Sequence, residues 1–268
     1  MLIDCHTHAF AEKIAAKAVE QLINYYRLPT TFGGELTDLL EQAHLADLDA
    51  LILLVAATKP EQVKPANDWI LSLPENVLAG RPKIFRFGTY HVDDQNWLSE
   101  IDRLRAAGIS GIKIHPEFQG IDLADSRLDP FFEEVAGEFT LMIHVGDPRV
   151  SQENYSTPRK VAAILEKFPR LTIIAAHLGG YCFWEDACEE LAGKNVFLDT
   201  SSALPYIDQA LLKRIISRHG TEKILMGSDY PLRSPVQELA TLDSIPWLTA
   251  AQKTAIAGEN CAHLLGLR

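Results

Sequence analysis

Met1-Leu2-Ile3-Asp4-Cys5-His6-Thr7-His8 opens the chain with an apolar start that runs straight into a His-x-His pair. It reads as a short buried strand ending in two metal-binding side chains. Successive side chains on a strand point to opposite faces, so Asp4, His6 and His8 are expected on one side, and Leu2, Ile3 and Cys5 mostly on the other. Two imidazoles one repeat apart can converge on one divalent cation, for which neutral imidazole is a good ligand. Alone, His-x-His is equally the polar end of an ordinary strand. What gives it weight is the chemistry at the ends of the later strands.

Working outward, apolar and β-branched runs recur near residues 2–7, 50–57, 83–90, 110–115, 139–145, 171–177, 195–200 and 222–228. Most are continuous, such as Leu51-Ile52-Leu53-Leu54-Val55, as expected of strands covered on both faces. Amphipathic stretches lie between them at 12–26, 35–46, 62–72, 96–107, 130–137, 158–168, 181–192 and 207–219. Gly108, Gly137, Gly193 and Gly220 fall where helices should stop, and Pro130 and Pro158 near helix starts. Eight strand–helix alternations without a linker or repeat predict an α/β fold, a single (β/α)₈ TIM barrel spanning residues 1–268. A doubly wound open sheet is the rival, but Thr7-His8-Ala9-Phe10 stands where its glycine-rich loop would follow the first strand. The segment 248–265 reads as a terminal helical pair, with Thr249 capping the first helix and Gly258-Glu259-Asn260 opening the second. It is expected to close the bottom of the barrel or pack on its flank.

Composition bounds the function. The 268 residues contain 47% hydrophobic and 23% charged residues, ordinary for a soluble globular protein. A formal net charge of −11 excludes nucleic acid and anionic membranes as attracted partners. The four cysteines form no CxxC motif, and reduced thiols in a cytoplasmic protein are expected. No basic, apolar leader and no membrane-length apolar run is found. The expected partner is a small-molecule substrate, and a homo-oligomer is compatible with the sequence.

In a barrel of this kind, residues at the C-terminal ends of the strands face the active site. Here they are His6 and His8, Lys113 and His115 in GIKIHP, His144 in MIHVG, His177 in AAHLGG, Asp199 in LDTS and Asp229 in MGSDYP. Each histidine taken singly is better explained as a satisfied structural residue. As a set at matching positions, they point to a metal site, because His is seldom and Asp hardly ever buried without partners. His44, His219 and His263 fall on helices and receive the ordinary solvated or partly packed reading. Phe10, Tyr90, Arg149, Tyr155, Tyr181, Trp184, Tyr230 and Arg233 follow strands on loops, which carry specificity.

These stretches together resemble the amidohydrolase superfamily, in the branch called amidohydrolase-related or amidohydrolase 2. IDCHTH, GIKIHP, MIHVG, HLGG with Trp184 and Asp186, NVFLDTS, ILMGSDYP and GENCAHLLGL carry the likeness from residue 3 to residue 267. The resemblance implies that His6, His8 and His144 bind a divalent metal, expected to be one zinc ion, with Asp229 completing or bordering its sphere. It implies that Asp229 moves protons, and that His177 acts on the substrate as an electrophile or acid/base group. Lys113 and His115 would be substrate-binding or structural residues beside a mononuclear site, with Lys113 unmodified. The structural alternative for Lys113 is an ammonium paired with Asp4 or Asp199. Tyr230 and Trp184 are further candidates for substrate contact. The expected activity is metal-dependent hydrolysis of a small carbonyl compound, with metal-activated water as nucleophile and Asp229 as proton shuttle. The alternative is a metal-dependent decarboxylase of a small unsaturated or aromatic acid, related to aminocarboxymuconate-semialdehyde decarboxylase.

Overall fold

The computed structural model describes residues 1–151 and 154–267. Eight strands run parallel in chain order: β1 Ile3–His8, β2 Ala50–Leu54, β3 Lys83–Thr89, β4 Gly111–Ile114, β5 Thr140–Ile143, β6 Thr172–Ala175, β7 Phe197–Asp199 and β8 Ile224–Leu225. The sheet closes on itself through backbone bonds just beyond β8. Cys5 N–H donates to the Met226 carbonyl (2.9 Å), Asp229 N–H to His6 (2.8 Å) and His8 N–H to Tyr230 (2.9 Å). The expected (β/α)₈ barrel is therefore the fold.

Alternation along the strands divides the core into two layers. Leu51, Leu53, Ile112, Leu141, Ile143, Ile173 and Leu198 face the surrounding helices. Ile3, Cys5, Ile52, Leu54, Phe87, Met142, Ile174 and Leu225 fill the barrel interior. Phe87 lies over the adjacent strand β4, where a Cβ on its paired residue Gly111 would lie 2.3 Å from its ring, so only glycine fits there. The terminal segment plugs the N-terminal end, with Cys261 and Ala262 joining the interior cluster and Met226 N–H donating to the Ile256 carbonyl (2.9 Å).

Two sequence expectations change. First, β1 carries a bulge: its register against β2 runs Asp4 to Leu51 and then Thr7 to Leu53, one extra residue on β1. The bulge inverts the alternation, so Ile3, Cys5, His6 and His8 all face inward while Asp4 turns outward. Asp4 accepts from Ser228 N–H (2.9 Å) and does not share a face with His6 and His8. Second, helix Pro235–Asp243, absent from the expected elements, follows β8. It starts at a capping box in which Ser234 and Gln237 satisfy each other's backbone N–H groups. As expected, Thr249 caps Ala250–Thr254, and the next helix, Asn260–Leu264, opens at Asn260. The Asn260 amide donates to the carbonyls of Thr221 (2.7 Å) and Ile224 (2.8 Å), pinning the tail under β8.

Candidate metal centre and catalytic mouth

The bulge turns His6 and His8 together to the interior face already held by Ile3 and Cys5. His8 directs Nδ1 at the Leu54 carbonyl (3.3 Å), which can only accept, so that nitrogen carries the proton and Nε2 is bare. The His6 ring presents Nδ1 to Asp199 Oδ2 (3.0 Å) and Ser201 Oγ (3.0 Å). The two Nε2 atoms then stand 3.2 Å apart, with Asp229 Oδ1 3.5 Å from His6 Nε2 and 3.9 Å from His8 Nε2. Two ring nitrogens and a carboxylate oxygen meeting in a buried space repel one another unless a positive charge lies among them. The donor set, two imidazoles and one carboxylate, is that of a borderline or hard divalent ion.

Lys113 projects from β4 into the same space, its Nζ 3.3 Å from His6 Nε2. It is fully buried, and burial brings its pKa down to about 8 despite Asp229 and Asp199. Neither of its expected partners forms a salt bridge with it: Asp4 faces outward, and Asp199 is bonded to His6 instead.

Asp229 is held from two sides. Ser202 Oγ–H donates to its Oδ2 (2.6 Å), and Oδ1 faces the histidines. Burial raises its pKa, but the neighbouring His6, His177 and His8 outweigh that and keep it below the ordinary carboxylate range. Asp229, His177 and Ser202 all sit at positive φ (61°, 62° and 48°), a conformation uncommon outside glycine. Three such residues at the ends of β6, β7 and β8 mark strain concentrated at one site.

His177 directs Nδ1 to the Ser201 carbonyl (2.9 Å) and Nε2 to His144 Nδ1 (2.9 Å). His144 stacks on His115 with centroids 3.8 Å apart, and His115 stacks in turn on Phe118 (4.0 Å). The Nε2 of His144 faces the Gly146 carbonyl (3.0 Å). His144 thus lies beside His177 rather than within the tight His6–His8–Asp229 group, whose ligand atoms are all within 4.8 Å of one another. Burial first, then neighbouring positive groups, push the pKa values of His8, His115 and His144 well below the usual imidazole value, so these rings are neutral.

Above this floor, a small opening is lined by Tyr26, Leu28, His144, His177, Tyr181, Ser202, Asp229 and Leu232. Tyr26, Leu28, Ser202 and Leu232 are residues that sequence reasoning missed. Tyr26 ends helix Glu12–Tyr26, and its hydroxyl meets His115 Nε2 (3.0 Å). Two expected substrate contacts point elsewhere. The Tyr230 hydroxyl donates to Asp38 (2.7 Å), and Trp184 Nε1–H donates to the His177 carbonyl (3.0 Å), bracing that residue from behind. Tyr90 is core, stacked on Phe131, and Arg233 pairs with buried Glu238. Arg149 remains at the rim, donating to Tyr25 Oη (2.7 Å) and Asp147.

Three comparisons place this architecture among known proteins. The family described as "Amidohydrolase" (Amidohydro_2) matches residues 3–267. A search of curated proteins found no match. Among solved structures, 5-carboxyvanillate decarboxylase from Sphingomonas paucimobilis aligns at 16% identity over 98% of both chains, with a TM-score of 0.70. A dihydroxybenzoic acid decarboxylase from Polaromonas sp. JS666, with bound manganese and the inhibitor 2-nitroresorcinol, aligns at 17% identity over 99% of this chain and 97% of that one, with a TM-score of 0.71. A Pseudomonas putida protein described as "Putative 2-Pyrone-4,6-Dicarboxylic Acid Hydrolase" aligns at 16% identity over 100% of this chain and 98% of that one, with a TM-score of 0.68. At these identities the likeness is one of fold.

Proposed function

This chain belongs to the amidohydrolase family, and on that premise we propose that it is a metal-dependent lyase removing carbon dioxide from a small aromatic or unsaturated carboxylic acid. His6, His8 and Asp229 would hold one divalent ion, manganese or zinc, with His144 bordering it. The ion, when bound, would act as a Lewis acid toward an oxygen of the substrate.

The observation that carries the reading is the union of this electron-rich floor with an aromatic opening. Tyr26 and Tyr181 pack edge to face, with centroids 5.9 Å apart and ring planes at 89°, beside His144 and His177. An opening with aromatic rings on one side suits a flat, conjugated molecule, which packs against aromatic groups. Decarboxylation breaks the bond between the carboxylate and the conjugated carbon, leaves the electron pair on that carbon, and ends when a proton joins it. Asp229, ionised before substrate binds, would take a proton from solvent or a substrate hydroxyl and deliver it to that carbon, with His177 beside it bearing on a substrate oxygen. Manganese in the Polaromonas decarboxylase supports the choice of a divalent ion.

Hydrolysis is the second reading. Its support is Asp229 Oδ1 lying against both histidine Nε2 atoms, where a base serving a water would stand, and the likeness to the Pseudomonas protein. A screen of hydroxybenzoates and unsaturated dicarboxylates, with protein loaded with Mn²⁺ or Zn²⁺, tests the proposal by release of carbon dioxide. Acid products from lactones or amides without such release would favour hydrolysis.

A further inference from the structure

We propose that Asp199 is a positioning residue that sets the tautomer of His6 and thereby decides whether His6 can take a cation. The inference rests on the reading that His6, His8 and Asp229 hold one divalent ion.

The argument is a count of hydrogens. Asp199, at the end of β7 and fully buried, offers two oxygens with distinct duties. Its Oδ1 receives donors only: Ser201 N–H (3.0 Å), His177 N–H (3.1 Å) and the Ser201 hydroxyl. Because the single hydroxyl proton of Ser201 goes to Oδ1, Ser201 Oγ can only accept from the rings beside it. Both neighbours of His6 Nδ1, Asp199 Oδ2 and Ser201 Oγ, are therefore acceptors. Nδ1 must carry the ring hydrogen, and Nε2 is left bare toward His8 and Asp229. Carboxylates commonly orient metal-binding histidines in this way. The same network reaches His177, whose Nδ1 donates to the Ser201 carbonyl (2.9 Å) and lies 3.0 Å from Ser201 Oγ.

The arrangement makes an unusual forecast for Asp199→Asn. Since Oδ1 meets backbone N–H groups that need an acceptor, the amide oxygen must take that place. The amide NH₂ then replaces Oδ2 against His6 Nδ1, which turns from donor to acceptor and sends the ring hydrogen to Nε2. Asp199→Ala also removes the acceptor of the Ser201 hydroxyl proton, so Ser201 Oγ can either accept from or donate to Nδ1 and imposes no such reversal. The isosteric asparagine should therefore harm the site more than alanine, an order that loss of packing alone would not produce.

The test uses metal-free, full-length protein. Long-range ¹⁵N–¹H spectra of the histidine rings report the tautomer, and calorimetric titration with Mn²⁺ and Zn²⁺ reports affinity. Wild type should show His6 as the Nδ1–H form. Asp199→Asn should show the Nε2–H form and bind Mn²⁺ about 10–100-fold more weakly, and more weakly than Asp199→Ala. A wild-type His6 in the Nε2–H form, or an asparagine variant binding Mn²⁺ as tightly as wild type, would overturn the proposal. Should the variants fail to fold, the wild-type spectrum alone decides. If wild type binds neither metal, the metal-site reading fails, while the tautomer still judges Asp199.

Discussion

His6 Nε2 and His8 Nε2 stand 3.2 Å apart inside the barrel, on the interior face to which a bulge between Asp4 and Thr7 turns them. Each ring is turned so that its other nitrogen is engaged, His8 by the Leu54 carbonyl and His6 by Asp199. Replacing either histidine with alanine should therefore lower divalent-metal affinity by more than about 100-fold, the upper end of what loss of a mere orienting partner costs. Calorimetry with Mn²⁺ checks this, and affinity within threefold of wild type would remove that histidine from the ligand set.

Asp229→Asn should abolish most turnover while leaving the barrel folded. The side chain keeps its shape and its bond to Ser202 but no longer exchanges protons. Acid–base groups contribute about 10²–10⁴-fold, and the loss should fall within that range. Steady-state kinetics on whichever acid is found to release carbon dioxide provides the check.

Glu238 sits fully buried beneath the barrel wall, and burial lifts its pKa to about 8 against the pull of Arg233. In the unfolded chain the same carboxyl titrates near 4.5. The folded state thus holds a proton that the unfolded state has lost, so stability falls as pH rises from about 4.5 to 8. The neutral rings of His8, His115 and His144 act in the other direction. Their folded pKa values lie below 6.5, so stability is lost as pH falls beneath 6.5 and the unfolded chain takes up protons. Metal-free protein should be most stable at about pH 7, where the histidine limb levels off, and Glu238→Gln should flatten the alkaline side alone. Thermal melts from pH 5 to 9 test both limbs.

Ser234→Ala should destabilise the protein by about 1 kcal/mol, the usual worth of an N-cap. It removes the hydroxyl that receives Gln237 N–H at the start of helix Pro235–Asp243. Denaturant titration measures the loss, and an unchanged midpoint would show that the cap contributes nothing.

That helix also illustrates what could be read without coordinates. Ser234-Pro235-Val236-Gln237 is a capping-box and N1-proline signature in plain view, but the even strand–helix rhythm drew attention away from a helix following the eighth strand. The barrel itself was readable, because parallel strands covered on both faces leave continuous apolar runs such as Leu51–Leu54. The histidines at the strand ends were readable for the same reason. The β1 bulge was not: an extra residue changes which face each side chain takes while leaving composition untouched, and so Asp4 was grouped with His6 and His8. Nor could Tyr26 be placed at the mouth, since it reaches there from the far end of a helix whose exit angle no local pattern encodes.

The most direct test of the central claim is to run the reaction in heavy water and, separately, in ¹⁸O-labelled water with metal-loaded protein. Asp229 and the ring-lined opening above it predict one carbon dioxide released per turnover. They also predict one deuterium on the carbon that carried the carboxylate, and no ¹⁸O in the organic product. Incorporation of ¹⁸O into a new carboxylate, without carbon dioxide, would contradict the decarboxylase account and assign the site to hydrolysis.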